Sequence, residues 1–127
     1  MKKKVLIIDS SKAIRFLLET VLGTEYEVMT AEDGCSAMYL LSKRMLPDLI
    51  ITDPQLTDLE NWELIEQLSG SILFNHIPVI VLSSLNYEET RRKCEEYGVI
   101  QHFNKPFNPL VLLDSINSIS HKTLIAN

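Results

Sequence analysis

The sequence predicts an α/β domain built on a doubly wound, five-stranded parallel sheet. Five short apolar runs, rich in β-branched residues, alternate along the chain with five segments whose apolar residues recur every three or four positions. The first pattern is typical of strands buried on both faces of a sheet, and the second of amphipathic helices. The connections are short, so each helix is expected to link neighbouring parallel strands, with helices on both faces of the sheet.

Length and composition favour one soluble globular domain over residues 1–127. A chain of this length can bury a core without a metal or disulfide, and 46% apolar with 23% charged residues is close to the globular average. Twelve basic against 17 acidic residues give a formal charge of -5. Because that charge repels polyphosphate, nucleic-acid binding by this domain is disfavoured.

The start of the chain and its cysteines indicate a cytoplasmic protein. Three lysines precede an apolar run, residues 5–8, that is too short for a signal peptide or a membrane span, so we expect no membrane association. Cys35 and Cys94 lie far apart, each inside a helical pattern, which fits free cysteines in a reducing compartment. We interpret both as buried packing residues rather than catalytic ones.

The first half of the chain predicts three strands and three helices. Gly23 and Gly70 follow the first and third helices, where C′ glycines belong, and Pro47 ends the second. The predicted strands are residues 4–8, 26–30 and 48–52. The first helix runs from Ser11 and has Ile14, Leu17, Leu18 and Val21 on its apolar face. The second helix is marked by Ala37, Leu40 and Leu41, and the third opens near Asn61 and contains Leu64, Ile65 and Leu68.

The second half predicts two strands and two helices. Residues 78–82 form a strand whose proline occupies the first position, where its missing N–H is tolerated. Asn86 is expected to cap a highly charged helix over 87–97, closed by Gly98. A weaker strand follows at 99–103, and Asn108-Pro109 opens a last helix from residue 110 to about residue 120.

Polar side chains follow four of the five predicted strands. Asp9-Ser10 follows the first strand, Asp53 the third, Ser83-Ser84 the fourth and Lys105-Pro106 the fifth. Ligands of such sheets bind beyond the carboxyl ends of the strands, near the point where strand order reverses. Two carboxylates, a hydroxyl and an ammonium group at this edge suit a hard cation and a phosphoryl group.

At this point the sequence resembles a response-regulator receiver domain, the phosphoacceptor half of bacterial two-component signalling. The matching segments are KVLIIDSS, PDLIITDPQLTD, IPVIVLSS and FNKPF, in the family's order and spacing, and the resemblance extends over essentially all 127 residues. It implies the flavodoxin-like, or CheY-like, (βα)5 fold. It also implies a phosphoryl group donated by a sensor histidine kinase or a phosphotransfer protein.

The resemblance implies a role for each strand-end residue. Asp53 is the expected phosphoacceptor, Ser83 and Lys105 act on the phosphoryl group, and Asp9, Asp53 and the backbone carbonyl of Gln55 hold Mg²⁺. Opposing charge from Lys105 and the metal would stabilise the transferred group, while a hydroxyl that moves toward it would transmit the change.

Two further positions follow from the same resemblance. His102 stands where receivers often carry a Tyr or Phe, which rotates when the hydroxyl at the end of the fourth strand moves; that hydroxyl belongs to Ser83 here. The Lys105–Pro106 bond is expected to be cis. His102 lacks a second His or Cys at ligand spacing, so it is not predicted to bind metal. No role is assigned to His76 or His121.

Some residues depart from the family pattern. Ser10 replaces the second acid, normally a direct metal ligand, so Mg²⁺ is expected to bind weakly, with Ser10 contacting it weakly or through water. Pro54 has no N–H to donate to a phosphoryl oxygen. The usual Met-Pro and Asp-Gly pairs read Leu56-Thr57 and Glu60-Asn61.

Each of these residues also has a purely structural interpretation. The two aspartates could cap helices, the serines could belong to turns, the lysine could be a surface residue and the charged fourth helix could simply be solvated. Trp62 is interpreted as partial core. In receivers the surface of helix 4, strand 5 and helix 5 is the usual output face, so it is the expected site for a downstream protein or for weak homodimerisation.

Three functions remain open on the sequence. The first is a phosphorylatable receiver, not an enzyme beyond catalysing its own phosphorylation and dephosphorylation. The second is a degenerate receiver that acts as a phosphorylation-independent interaction module. The third is a phosphatase with an aspartate nucleophile, disfavoured because Gln55 stands where a second acid is wanted. The chain is expected to be either a stand-alone receiver or a fragment.

Overall fold

The computed structural model describes residues 2–44 and 46–120, and these form one parallel sheet with helices on both faces. The strand order is β2-β1-β3-β4-β5, so the predicted fold class is confirmed. The elements are β1 (Lys4–Ile8), α1 (Lys12–Leu22), β2 (Glu27–Ala31), α2 (Gly34–Ser42), β3 (Leu49–Thr52), α3 (Glu63–Ser69), β4 (Val79–Ser83), α4 (Tyr87–Tyr97), β5 (Gln101–Asn104) and α5 (Pro109–Ile119).

The central strands bury both of their faces. On β1, Val5 and Ile7 point into a core shared with α1 and α5, whereas Leu6 and Ile8 point into a core shared with α2 and α3. All four side chains are fully buried. The alternation follows from the two-residue period of a strand, and it explains why the sequence shows an unbroken apolar run here.

The core shared with α2 and α3 continues across the sheet toward β4. Val81 of β4 packs with Trp62, Ile65 and Cys94, which brings α3 and α4 against the same face. The predictions that Trp62 belongs to the core and that Cys94 is buried are therefore confirmed. Cys35 is exposed, so its interpretation as a buried packing residue is wrong.

Strand β2 begins one residue later than predicted. Tyr26, taken as the first residue of the strand, donates its backbone N–H to Leu22 O and thereby closes the turn after α1. The strand consequently runs over Glu27–Ala31 rather than 26–30.

Strand β5 also begins later than predicted, because Val99 donates its N–H to Cys94 O at the end of α4. That strand is Gln101–Asn104 rather than 99–103. β3 and β4 also begin one residue later than predicted, at Leu49 and Val79, and β4 extends to Ser83.

Most helix ends carry the capping groups that the sequence indicates. The side chains of Ser11, Asn86 and Asn108 accept backbone N–H bonds at the starts of α1, α4 and α5. Helix α5 begins at Pro109, one residue before the predicted start, since proline is suited to the first helical position. Gly98 has a φ of 70° after α4, the left-handed conformation that favours glycine.

Helices α2 and α3 begin elsewhere than the sequence indicates. Helix α2 starts at Gly34, before its predicted apolar positions, because the carboxylate of Asp33 caps it. Helix α3 starts at Glu63 rather than near Asn61, since Trp62 has a φ of 70° at its N-cap and its side chain makes no capping bond. A non-glycine residue in that conformation departs from the usual capping pattern that sequence analysis relies on.

The loop from β3 to α3 is fastened to α2 by one carboxylate. Asp58 accepts hydrogen bonds from Gly34 N at 2.9 Å and Cys35 N at 2.8 Å, the exposed N–H groups of the first helical turn. The loop lies so close that a Cβ on Gly34 would stand 2.3 Å from Leu59 Cδ1. Glycine at residue 34 therefore permits the approach.

The connection from α3 to β4 lies at the opposite edge of the sheet and is open to solvent. Ile72 is 90% exposed and Leu73 69% exposed. Among the described residues no helix has the length and apolar character needed to cross a membrane.

The Asp58 contact predicts a pH-dependent stability. The hydrogen bonds from Gly34 and Cys35 hold the pKa of Asp58 below its ordinary value of 3.8. Its contribution should be fully present above pH 3.8 and should disappear as pH falls through the lower folded-state pKa. An NMR titration should place this pKa below 3.8, and Asp58→Asn should lower the urea midpoint at pH 6 but not near pH 2.

Asp114 provides the control, because it is an exposed carboxylate on α5. Asp114→Asn should leave the midpoint almost unchanged at both pH values. Equal midpoints for Asp58→Asn and the native protein at pH 6 would contradict the capping role.

Candidate functional site

Backbone hydrogen bonds that continue the sheet fix the three charged residues at its carboxyl edge. Asp9 N donates to Ala31 O, Asp53 N to Ile8 O and Lys105 N to Ser83 O, at 3.1, 3.0 and 2.9 Å. Each residue stands one step beyond the end of its strand. The strand order reverses at β1, between β2 and β3, so the site lies where ligands of such sheets are bound.

The ammonium group of Lys105 joins the two carboxylates. Lys105 Nζ donates to Asp9 Oδ2 at 2.7 Å and to Asp53 Oδ2 at 2.6 Å. The side chains of Asp9, Asp53 and Lys105 are only 3%, 9% and 12% exposed. Three ionised groups are thus held together with little water around them.

The second oxygen of each carboxylate is held by the backbone that follows it. Ser11 N donates to Asp9 Oδ1 at 2.9 Å, and Gln55 N donates to Asp53 Oδ1 at 2.7 Å. Both carboxylates therefore have fixed orientations. The Gln55 amide also supplies a backbone donor beside Asp53, although Pro54 itself has none.

Lys105 remains charged despite its burial. Desolvation alone would lower the pKa of Lys105, but the hydrogen bonds and charges of Asp53 and Asp9 outweigh it and raise this pKa above 10.5. Two carboxylates against one ammonium leave a formal charge of −1 among these three residues. The site is thus disposed to receive a cation.

Two backbone features complete this edge. The Lys105–Pro106 peptide bond is cis. Arg15, on α1, donates from Nη1 to the backbone oxygen of Asp9 at 2.7 Å and so ties the helix to the strand end. Sequence analysis did not identify Arg15; its position about one turn into the helix that follows Asp9 was the available signal.

Ser83 lies at the end of β4, fully buried, with its hydroxyl engaged by neighbouring residues. Its Oγ accepts the N–H of Leu85 at 2.9 Å and lies 3.1 Å from the Thr90 Oγ1 atom. Ser84 is exposed. Sequence analysis identified the serine but gave no indication of Thr90, because a threonine inside a charged helix carries no motif.

The remaining predicted residues lie around this centre. Ser10 is exposed beside Asp9, and Gln55 is exposed beyond Asp53. His102 is half-buried on β5, with its ring centroid 5.7 Å from that of Tyr87 on α4. His76 lies in an exposed turn, and His121 lies outside the described residues.

The oxygen atoms at this edge suit a Mg²⁺ ion. Asp9 and Asp53 present carboxylate oxygens on either side of one ammonium, and Gln55 adds a backbone carbonyl nearby in sequence. Mg²⁺ prefers oxygen ligands and usually keeps several waters while binding one or two carboxylates. No group of three or more His, Cys, Asp or Glu residues in the described chain could hold a metal ion. The fit is therefore to a hydrated ion.

The comparisons with known proteins agree on one family. A family model described as response regulator receiver domain matches residues 5–117. The chain is 29% identical over 126 residues to the response regulator PleD of Caulobacter vibrioides, which covers 98% of this chain and 28% of PleD. It therefore spans little more than a quarter of that relative's length.

Two shorter proteins match over nearly their whole length. Sporulation initiation phosphotransferase F of Bacillus subtilis is 27% identical over 117 residues, 91% of this chain and 92% of that protein. The solved structure of the chemotaxis response regulator CheY4 of Vibrio cholerae has a TM-score of 0.82 at 27% identity, covering 94% of this chain and 99% of that chain.

The buried charge cluster predicts a large cost for removing its cation. Lys105→Met leaves two carboxylates facing each other with little water, so at pH 7 without divalent metal the free energy of unfolding should fall by about 3 kcal/mol. In the native protein the ammonium's contribution is fully present below pH 10.5 and lost as pH rises through the higher folded-state pKa.

Urea unfolding with a metal chelator measures this cost. Lys93→Met is the control, since Lys93 makes an exposed ion pair with Glu96 at 3.8 Å that should contribute below about 1 kcal/mol. Equal losses in the two variants would show that the cluster is not desolvated as described.

Proposed function

The chain belongs to the response-regulator receiver family, and on that premise we propose that Asp53 accepts a phosphoryl group from a sensor histidine kinase or a phosphotransfer protein. The observation that carries the proposal is the Lys105 ammonium held between the carboxylates of Asp53 and Asp9. Of these two residues, Asp53 directly follows β3, which pairs with β4, the strand that ends at Ser83. The chain is a receiver domain of two-component signalling.

In the proposed transfer a carboxylate oxygen of Asp53 attacks the phosphorus of a phosphohistidine. A phosphorus–oxygen bond forms as the phosphorus–nitrogen bond breaks, and the departing imidazole keeps the electron pair and takes a proton from solvent. The protein contributes mainly orientation and charge. Gln55 N fixes the carboxylate, and Lys105 offsets the negative charge on the transferred group.

Receiver domains typically bind Mg²⁺. We assign the ligands here to Asp9, Asp53 and the Gln55 carbonyl, with Ser10 in contact weakly or through water. The bound ion supplies positive charge opposite the phosphoryl oxygens. One acid fewer than usual leaves this site less negative, so the ion should be held more weakly than in receivers with the full acidic pair.

The modification is proposed to alter a protein-binding surface rather than to drive catalysis on a further substrate. Ser83 would donate its hydroxyl to a phosphoryl oxygen, and His102 would shift with it. The face formed by α4, β5 and α5 would then bind a downstream protein, with the chain a monomer or a weak homodimer. We place this signalling in the cytoplasm, without membrane or nucleic-acid binding by the domain itself.

A second function is favoured by Ser10 and Pro54. An exposed hydroxyl replaces an acid at the metal site, and the residue after the acceptor has no N–H to donate. Both changes suit a receiver that keeps the fold as an interaction module and signals without phosphate. Phosphorylation is the step that separates the two functions.

Intact-mass spectrometry after incubation with acetyl phosphate and Mg²⁺ tests the acceptor. The native protein should gain about 80 Da, the mass of one phosphoryl group, and Asp53→Asn should gain nothing. Asp114→Asn, which removes an exposed carboxylate on α5, should be modified like the native protein. Modification of Asp53→Asn would contradict the assignment, and an unmodified native protein would favour the interaction module.

The Ser10 position predicts the strength of metal binding. Ser10→Asp should bind Mg²⁺ about tenfold more tightly, equivalent to about 1.4 kcal/mol, because a carboxylate replaces a neutral hydroxyl beside Asp9. Ser10→Asn, of similar size and without charge, should bind like the native protein. The titration can be followed by NMR shifts of backbone amides around Asp9 and Asp53. Equal affinities in all three proteins would refute the role given to Ser10.

A further inference from the structure

The Ser83 hydroxyl is already bound before any phosphoryl group arrives. It accepts a hydrogen bond from Leu85 N and lies 3.1 Å from the hydroxyl of Thr90, and both hydroxyl-bearing residues are fully buried. The receiver role of Ser83 requires its hydroxyl to turn toward Asp53. What Thr90 does in the unmodified protein is a separate question.

Thr90 is unusual among the residues of α4. The helix is densely charged, and Thr90 and Cys94 are its buried positions. In the described structure the hydroxyl of Thr90 has Ser83 as its hydrogen-bond partner. A buried hydroxyl without any partner destabilises the folded state, so this contact stabilises the buried hydroxyl of Thr90.

Asp53 and Thr90 belong to different elements around Ser83. Strand β4, which ends at Ser83, pairs with β3, which leads to Asp53, while Thr90 lies on α4, which packs against β5. A Ser83 hydroxyl that turns toward Asp53 therefore gives up its orientation toward Thr90. Either hydroxyl can donate in this contact, and a hydroxyl has one hydrogen, so a Ser83 that donates to Thr90 cannot also donate to a phosphoryl oxygen.

We propose that Thr90 is a positioning residue that holds the Ser83 hydroxyl on α4 in the unphosphorylated protein, and that phosphorylation of Asp53 breaks this contact. The inference rests on the proposed function, because it concerns the response to the modification. Thr90 thus opposes the switch, and the exchange of partners is the point at which the chemistry at Asp53 reaches α4.

Two neighbouring contacts would carry the change onward. Glu89 accepts the indole N–H of Trp62 at 3.2 Å, and Tyr87 packs against the ring of His102. Both belong to the same turn of α4 as Thr90. Release of Thr90 from Ser83 therefore alters the environment of Trp62, the single tryptophan of the chain.

The test compares Thr90→Val with the native protein in binding beryllofluoride, a phosphoryl mimic, at saturating Mg²⁺. Valine keeps the shape of threonine and removes the hydroxyl, so there is no contact to break and no hydroxyl left without a partner. Thr90→Val should bind about 2- to 10-fold more tightly, the range expected for one hydrogen bond. Thr90→Ser, which keeps the hydroxyl, should bind like the native protein. Trp62 fluorescence reports binding.

The Ser83→Ala background separates positioning from packing. In the Ser83→Ala protein, Thr90→Val should not change the affinity for beryllofluoride, because the Ser83 hydroxyl that Thr90 holds is absent. If Thr90→Val tightened binding as much in Ser83→Ala as in the native protein, the proposal would be overturned. Equal affinities of the folded Thr90→Val and native proteins would overturn it as well, and Thr90→Ala gives the same comparison should valine prevent folding. A native protein that neither binds beryllofluoride nor gains mass after incubation with acetyl phosphate would contradict both the proposed function and this inference.

Discussion

The site depends on one desolvated ion cluster, in which the Lys105 ammonium lies between the carboxylates of Asp9 and Asp53. Two buried carboxylates at one sheet edge would repel each other strongly without an opposite charge. The cluster therefore requires three strands to end in register, since each charged residue is positioned by a backbone bond to its neighbouring strand. The parallel sheet thus positions these three charged residues next to one another.

The order of the strands also determines which groups can communicate. Strand β4 has β3, which leads to Asp53, on one side and β5 on the other. Its terminal residue, Ser83, contacts Thr90 of α4 through its hydroxyl. In the proposed switch, an exchange of the hydrogen-bond partners of Ser83 would carry a change at Asp53 to that helix.

The fold and the charged residues could be predicted from sequence because each has a local signature. Buried parallel strands read as apolar runs, and polar residues directly after them fall at one edge. Strand limits were less predictable, since Tyr26 and Val99 look like strand residues but donate their N–H groups to carbonyl oxygens of the preceding helices. Thr90 and Asp58 carried no signature, because Thr90 contacts a side chain of another element and Asp58 accepts backbone N–H groups that are distant in the sequence. Such contacts depend on tertiary geometry that a one-dimensional pattern does not contain.

The carboxylate of Asp58 has a consequence for how this domain tolerates changes in length. The loop after Asp53 is bound to α2 through Asp58, and Trp62 N donates to Pro54 O within it at 2.8 Å. Both contacts fix the loop's span, so an inserted residue there would displace one anchor or the other. In the connection from α3 to β4, by contrast, Ile72 and Leu73 are exposed at the opposite edge of the sheet from Asp53. A fluorescent protein or affinity tag inserted beside Ile72 would leave the edge that holds Asp9, Asp53 and Lys105 intact, which makes this connection a suitable attachment point for an engineered reporter.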